Sequence, residues 1–158
     1  MVIPQPGEPF LSVIIPVYNE QKKISDDLRA ALDYFRSQSY AFELIVVDDG
    51  STDDTPAKLA RWEERGGGAL RAISYRPNRG KGYAVRTGML AARGQVRMFA
   101  DAGLCVPYSE TARGLWAIEQ GAEVAIGSRR LADSRVVRAQ TGYRRLGSRL
   151  FAAVALRV

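Results

Sequence analysis

The stretch LIVVDDGSTDDT, residues 44–55, decides the fold of this chain. Its first four residues are apolar and mostly β-branched, which predicts a strand buried on both faces, as in a parallel sheet. Gly50 permits a sharp turn after two carboxylates, and Thr55 is predicted to cap the helix that follows. Ligands of open α/β sheets bind outside the carboxyl ends of the strands, so Asp48 and Asp49 are predicted to face a ligand. The alternative is that they only enrich a turn and cap a helix.

The rest of the chain alternates between strand and helix patterns. The predicted strands are 10–17, 44–47, 70–75, 95–100 and 123–126, and the predicted helices are 20–37, 56 to the glycines at 66–68, 80–92 and 109–120. Pro16 is expected to interrupt the first strand. This alternation predicts βαβ units and a mostly parallel sheet, and therefore the α/β class. We expect a single domain over 1–158, with an N-terminal arm at 1–9.

Composition narrows the class of protein. The chain has 158 residues, of which 46% are hydrophobic and 25% are charged, as in ordinary globular domains. No apolar run approaches the roughly 18 residues that cross a bilayer. The single cysteine, Cys105, favours a reducing, cytoplasmic setting. The absence of histidine excludes His-based triads and zinc sites with His ligands.

The net charge of +6 is concentrated near the C-terminus, because the residues after 128 include eight arginines and only one acid, Asp133. Guanidinium groups bind phosphate oxygens in bidentate geometry, so this segment predicts phosphate, anionic lipid or nucleic acid as a partner. Residues 143–158 have the pattern of an amphipathic basic helix, which would lie either on an anionic membrane or against the sheet. The apolar end predicts a truncated C-terminus or a partner.

Six motifs stand in order along the chain. They are LSVIIPVYNE (11–20), IVVDDGST (45–52), NRGKGYAVRTGMLAARG (78–94), FADA (99–102), IGSRR (126–130) and YRRLGSRLF (143–151). Together they resemble the inverting family 2 glycosyltransferases with the GT-A fold. Within that family, the polyprenyl-phosphate type is the most similar, as in dolichyl-phosphate β-glucosyltransferases and dolichol-phosphate mannose synthases. The motif at 78–94 favours the glucosyl branch, with UDP-glucose as the donor.

The resemblance implies a role for particular residues at the strand ends. The residues implied to bind the nucleotide-sugar donor are Pro16, Tyr18, Glu20, Asp48, Asp49, Asn78, Lys81 and Asp101. Asp101 is also implied to hold Mg²⁺ or Mn²⁺, which would neutralise charge on the nucleoside-diphosphate leaving group. Arg129 and Arg144 are implied to bind the phosphate of a polyprenyl or dolichyl acceptor, and with Asp101 they are the implied catalytic residues.

This chemistry suits a chain without histidine. The second pKa of a phosphate monoester lies near 6, so at pH 7 the acceptor is already largely a nucleophilic dianion. Arginines that position it are then needed more than a general base. A single displacement at the anomeric carbon would invert its configuration.

Two departures from the family pattern leave alternatives open. Asp101-Ala102-Gly103 stands where the family has Asp-Ala-Asp, and the loss of a hard oxygen ligand predicts a weaker metal site. The chain also ends before the family's later glutamine- and glycine-containing motif. The alternatives are a catalytically impaired nucleotide-sugar-binding module and a transferase with a non-lipid acceptor. A nucleic-acid binder ranks last because no recognition motif supports it, and the oligomeric state is left open.

Overall fold

A computed structural model describes residues 8–128 of this chain. The strands are β1 (Leu11–Val17), β2 (Phe42–Asp48), β3 (Leu70–Ser74) and β4 (Val96–Phe99). The helices are α1 (Ile24–Arg36), α2 (Thr55–Arg65), α3 (Lys81–Ala91) and α4 (Thr111–Glu119), with a short 3-10 turn at Tyr108–Glu110. Residues 1–7 of the predicted arm, Arg129, Arg144 and the predicted helix 143–158 lie outside the described residues.

The described strands form one parallel sheet in the order β3-β2-β1-β4. The chain moves outward from β1 to β2 and β3, and then crosses back to place β4 on the other side of β1. In open sheets of this kind, ligands bind outside the carboxyl ends of the strands, next to the point where the order reverses. The reversal lies between β1 and β4, so the loops that follow these two strands flank the expected crevice. The predicted α/β class and parallel sheet are confirmed.

Helices cover both faces of the sheet. On one face, the ring of Phe35 in α1 lies 5.6 Å from the ring of Phe42 in β2. On the other face, α3 packs against Ile14 and Val47, and a Cβ added to its Gly88 would overlap the Ile14 side chain. Successive side chains of a strand point to opposite faces, which places Phe42 and Val47 on different sides. Glycine at position 88 therefore sets how closely α3 approaches the sheet.

Pro16 does not interrupt β1, contrary to the prediction. It continues the strand in register with Val47 of β2. Pairing between β1 and β4 ends at Ile14, whose carbonyl accepts a hydrogen bond from the N–H of Ala100 at 2.9 Å. Backbone groups two residues apart point to the same side, so the N–H that Pro16 lacks would face the side where this ladder has already ended. Proline is tolerated here because no ladder hydrogen bond is lost.

The predicted strand at 123–126 is not formed. Val124 and Ile126 are 72% and 83% exposed. An alternating or apolar pattern indicates strand propensity, but a strand forms only where its backbone groups can hydrogen-bond to a neighbouring strand.

The described residues divide into two compact units, with the boundary between Ala112 and Arg113, and the four strands belong to the first unit. The helices described here are too short or too polar to cross a membrane.

A buried charged network closes the amino edge of the sheet, opposite the expected crevice. Glu43, 4% exposed, accepts hydrogen bonds from the Ser12 hydroxyl at 2.6 Å and from the backbone N–H of Arg93 at 2.7 Å. The Arg93 guanidinium adds contacts of 3.0 and 3.2 Å to the other carboxylate oxygen. Burial favours a higher pKa for the Glu43 carboxyl, but the hydrogen bonds from Ser12 and Arg93 outweigh it and lower the pKa.

Candidate active site

Two consecutive buried carboxylates end β2. Asp48 and Asp49 are 2% and 3% exposed, and Oδ1 of Asp48 accepts a hydrogen bond from the backbone N–H of Ser51 at 3.1 Å. Gly50 then turns the chain with a φ of 75°. A Cβ at Gly50 would lie 2.8 Å from the backbone nitrogen of Asn78. Glycine is therefore required both by the left-handed turn and by the close approach of the loop that follows β3.

Asp49 connects the loop after β2 to the loop after β3. Its Oδ1 accepts hydrogen bonds from the Tyr75 hydroxyl and the Arg79 backbone N–H, both at 2.8 Å. Its carbonyl accepts a third from the side-chain amide of Asn78 at 2.9 Å. Burial, and then the neighbouring Asp49 carboxylate, raise the pKa of Tyr75, so the phenol stays protonated and donates at neutral pH. Asp49 therefore orders the segment that leads into α3.

The loop after β1 is held against the loop after β2. The N–H of Asn19 donates to Ser51 Oγ at 2.9 Å, and the N–H of Thr52 donates to Asn19 Oδ1 at 2.8 Å. The N–H of Glu20 donates to Thr55 Oγ1 at 2.9 Å. The prediction that Thr55 caps α2 is therefore wrong, because its hydroxyl accepts from a loop 35 residues away and Thr55 is itself the first residue of the helix, after the N-cap Asp54.

The alternative reading of Asp48 and Asp49 as helix caps is also wrong. Within the described residues, the hydrogen-bond partners of the two carboxylates lie in the turn after β2 and in the loop after β3, not at the first turn of α2. Of the other predicted donor-binding residues, Pro16 is buried, Tyr18 is 47% exposed and Glu20 is partly exposed. The edge of the sheet thus offers a half-exposed aromatic ring beside two anchored carboxylates.

Lys81 and Asp101 join the loops after β3 and β4. Lys81 is the first residue of α3, and its Nζ forms an ion pair with Oδ1 of Asp101. The two side chains are 56% and 45% exposed, so both can reach a ligand. Gly80 precedes the helix with a φ of 88° and provides no side-chain cap. The amino end of α3 therefore presents backbone N–H groups and an ammonium together, which favours an anion.

The residues at Asp101 provide a limited set of metal ligands. Within residues 8–128 no group of three or more Asp, Glu or Cys side chains is placed to share a cation. Gly103, with a φ of 89°, supplies no side-chain ligand two positions after Asp101. Mg²⁺ is commonly held through one or two carboxylates together with substrate phosphates and water. One half-exposed carboxylate beside a diphosphate fits such a shared site, with Lys81 as a second positive charge.

Sequence reasoning missed several residues that hold these loops in place. The sequence does not predict that Asn19, Ser51 and Tyr75 hold the loops together, because a hydroxyl or amide after a strand looks the same whether it binds a loop or solvent. Asp27 had a detectable signal. It occupies a position on the buried stripe of α1 where the helical period calls for an apolar residue, next to Leu28.

Comparison with known proteins places this geometry in a family. The sequence profile of the family described as Glycosyl transferase family 2 matches residues 12–154. A dolichyl-phosphate β-glucosyltransferase of Drosophila melanogaster is 34% identical over 146 residues, covering 85% of this chain and 45% of that protein. An undecaprenyl-phosphate 4-deoxy-4-formamido-L-arabinose transferase of Edwardsiella ictaluri (strain 93-146) is 33% identical over 141 residues, covering 89% of this chain and 42% of that protein.

Solved structures agree with the sequence relatives. The mannosyltransferase PcManGT from Pyrobaculum calidifontis, in complex with GDP-Man and Mn²⁺, is 34% identical with a TM-score of 0.55 over 70% of this chain and 32% of its own. S. aureus TarS 1–349 in complex with UDP-GlcNAc is 27% identical with a TM-score of 0.55 over 70% of this chain and 31% of its own.

The fold is that of the GT-A glycosyltransferases. More specifically, the chain belongs to glycosyl transferase family 2, as the resemblance of its motifs implies. It spans less than half the length of the polyprenyl-phosphate transferases that it matches.

Proposed function

We propose that this chain carries the donor site of an inverting glycosyltransferase that moves glucose from UDP-glucose to a polyprenyl or dolichyl phosphate. The observation that supports this most is the carboxyl edge of the sheet. There the loops after β1, β2, β3 and β4 are joined pairwise through Asn19–Ser51, Asp49–Asn78 and Lys81–Asp101. Acceptors of this kind appear in the names of both relatives, a dolichyl-phosphate and an undecaprenyl-phosphate transferase.

The nucleoside half of the donor binds between the loops after β1 and β2. Tyr18 and Glu20 lie on the first loop, and Pro16 sets its direction at the end of β1. Asp48 uses Oδ1 for the N–H of Ser51, which leaves Oδ2 to accept from a ring N–H or a ribose hydroxyl. Asp49 supports this contact by holding the loop that carries Asn78.

The diphosphate binds at the amino end of α3, between Lys81 and Asp101. Asp101 would hold Mg²⁺ or Mn²⁺ in this site, and the cation would supply a positive charge that stabilises the departing nucleoside diphosphate. Lys81 donates to the same oxygens as a compact charge on a flexible stem. The presence of Mn²⁺ and GDP-Man in the mannosyltransferase structure supports this assignment.

The acceptor phosphate is bound by Arg129 and Arg144. One of its oxygens forms a bond to the anomeric carbon as the bond from that carbon to the diphosphate breaks, so the configuration inverts and UDP leaves. The basic pattern of 143–158 supports a position of this segment on the cytoplasmic surface of a membrane, where the acceptor is anchored.

The test is transfer of labelled glucose from UDP-glucose to a short polyprenyl phosphate, with Mn²⁺ and then with a chelator. We expect metal-dependent formation of a lipid-linked sugar, with loss of product in Asp101→Asn. A folded protein that forms no product from UDP-glucose, GDP-mannose or UDP-N-acetylglucosamine contradicts the proposed activity. Transfer to a soluble sugar instead of the lipid supports a non-lipid acceptor.

A nucleotide-sugar-binding module is the second candidate, and Gly103 favours it. A Cβ at Gly103 has room, since its nearest neighbour would be Lys23 Cδ at 3.7 Å. The left-handed φ imposes a strain of about 1–2 kcal/mol on any other residue. We expect Gly103→Asp to raise metal-dependent affinity for UDP. A gain in affinity with no sugar transfer by either protein supports the module, whereas transfer by the wild type excludes it.

A further inference from the structure

A buried carboxylate on α1 contacts the loop that follows β4. Asp27 is 1% exposed, and both of its carboxylate oxygens are in use. Oδ2 accepts the backbone N–H of Gly103 at 2.9 Å, and Oδ1 accepts the hydroxyl of Tyr108 at 3.0 Å. The two donors lie five residues apart in the segment that follows Asp101, and Tyr108 begins the 3-10 turn. One side chain therefore holds this loop at two points.

Among the ion pairs formed within residues 8–128, none includes Asp27, so no ion pair there compensates for its burial. A buried carboxylate is unfavourable unless hydrogen bonds compensate, and an apolar residue would satisfy the buried stripe of α1 at no such cost. Burial, and then Asp27, raise the pKa of Tyr108, so its hydroxyl remains a donor. The buried carboxylate of Asp27 therefore serves to accept hydrogen bonds from the segment that follows β4.

The bond to Gly103 fixes the position of Asp101. On the other side of Asp101, the N–H of Ala100 donates to the Ile14 carbonyl at 2.9 Å, which ties the chain to β1. Gly103 has a φ of 89° and Leu104 a φ of 55°, so the chain reverses immediately after Asp101. The Asp101 backbone is therefore tethered to β1 on one side and to α1 on the other, three residues apart.

We propose that Asp27 is a positioning residue of the diphosphate site, which holds Asp101 beside Lys81 by tethering the backbone amide of Gly103 to α1. This inference rests on the proposed role of Asp101 in donor binding. Asp27 touches neither donor nor cation, and it acts only through the loop.

The experiment compares two variants that differ in this tether. Tyr108→Phe removes the other hydrogen bond of Asp27 and leaves the Gly103 contact intact. The double variant Asp27→Leu/Tyr108→Phe also removes the tether, while a branched apolar side chain keeps α1 packed. In the double variant both partners of the buried Asp27–Tyr108 bond become apolar, which is close to neutral for stability. Tyr108→Phe leaves Asp27 Oδ1 without that donor at a cost of about 1–3 kcal/mol, which is smaller than the stability of an ordinary domain, so both proteins should fold. Asp26→Asn, an exposed acid on the same helix, controls for the loss of charge.

Two readouts separate positioning from stability. The first is hydrogen exchange of the Gly103 amide without ligand, and the second is calorimetric affinity for UDP with Mn²⁺. We expect the double variant to exchange this amide at least about tenfold faster than Tyr108→Phe and to bind UDP with Mn²⁺ at least about tenfold more weakly, which is the lower end of the effect of one hydrogen bond to a charged group. Tyr108→Phe and Asp26→Asn should match the wild type in both.

Unchanged Gly103 exchange in the double variant overturns the tether. Faster exchange with unchanged affinity for UDP overturns the positioning role, although the donor site itself stands. If the wild type binds no UDP with Mn²⁺, the proposed function fails and Asp27 has no donor site to position. The behaviour of the wild type therefore separates the two failures.

Discussion

Replacing Lys81 by alanine should separate donor binding from the stability of the fold. Within residues 8–128, Lys81 and Asp101 form an ion pair with each other and with no other charged residue, and their side chains are 56% and 45% exposed. Exposed ion pairs contribute about 0–1 kcal/mol to the free energy of unfolding. Alanine is also a strong helix former, so the start of α3 is preserved. We expect the melting temperature to fall by no more than about 4 °C.

The effect on the donor should be much larger. A hydrogen bond from an ammonium to a diphosphate oxygen contributes about 1.5–3 kcal/mol, which corresponds to about a 10- to 150-fold loss of affinity. The assay is calorimetric titration of UDP in the presence of Mn²⁺, paired with thermal unfolding of each sample. Arg86→Ala is the matched control, because Arg86 is an exposed cation on the same helix. Arg86→Ala should change neither the affinity for UDP nor the melting temperature by more than the loss of one distant charge accounts for.

Two results would refute this reasoning. Affinity of Lys81→Ala within twofold of that of Arg86→Ala would mean that Lys81 does not meet the diphosphate. A fall in melting temperature of about 8 °C or more, beyond what an exposed pair can supply, would mean that the contact with Asp101 holds the loops together.

Two further predictions concern the sheet. Glu43→Gln should destabilise the fold at pH 7 by about 1–3 kcal/mol, because it weakens the buried bonds from Ser12 and Arg93. Since folding lowers the pKa of Glu43, the carboxylate stabilises the fold above its unfolded pKa and this contribution is lost as pH falls through the folded pKa. Urea unfolding should show the two proteins converging in acid, and a constant gap would contradict the argument. Gly88→Ala should destabilise by about 1–3 kcal/mol through overlap with Ile14, whereas a melting temperature equal to the wild type would show that α3 shifts freely.

Much of the architecture could be predicted because it depends on local patterns. The run of apolar residues before Asp48 could only be a strand buried on both faces, and Gly50 could only mark a turn. The order of strands and helices then required the carboxyl ends to meet at one edge. That edge links the loops that carry Asp48, Lys81 and Asp101, whereas the roles of these residues in donor binding stay predictions.

The errors concern contacts between segments far apart in sequence. Whether Pro16 interrupts β1 depends on where the pairing of β1 with β4 ends. Whether Thr55 caps α2 depends on which group donates a hydrogen bond to its hydroxyl, and that group belongs to the loop after β1. The pattern at 123–126 predicts a strand, but it does not show whether a neighbouring strand is available to pair with it, and no strand is formed there. Asp27 could have been noticed as a polar residue on the apolar stripe of α1, but its partner, Gly103, lies 76 residues away and could not be named from the sequence.

The donor site is tested most directly by calorimetric titration of the wild type and Asp101→Asn with UDP and with GDP, each with and without Mn²⁺. We expect UDP to bind the wild type only when Mn²⁺ is present. We expect Mn²⁺ to give no gain in the affinity of Asp101→Asn for UDP. Binding that ignores both the metal and Asp101, or no binding of either nucleotide by a folded sample, would contradict it.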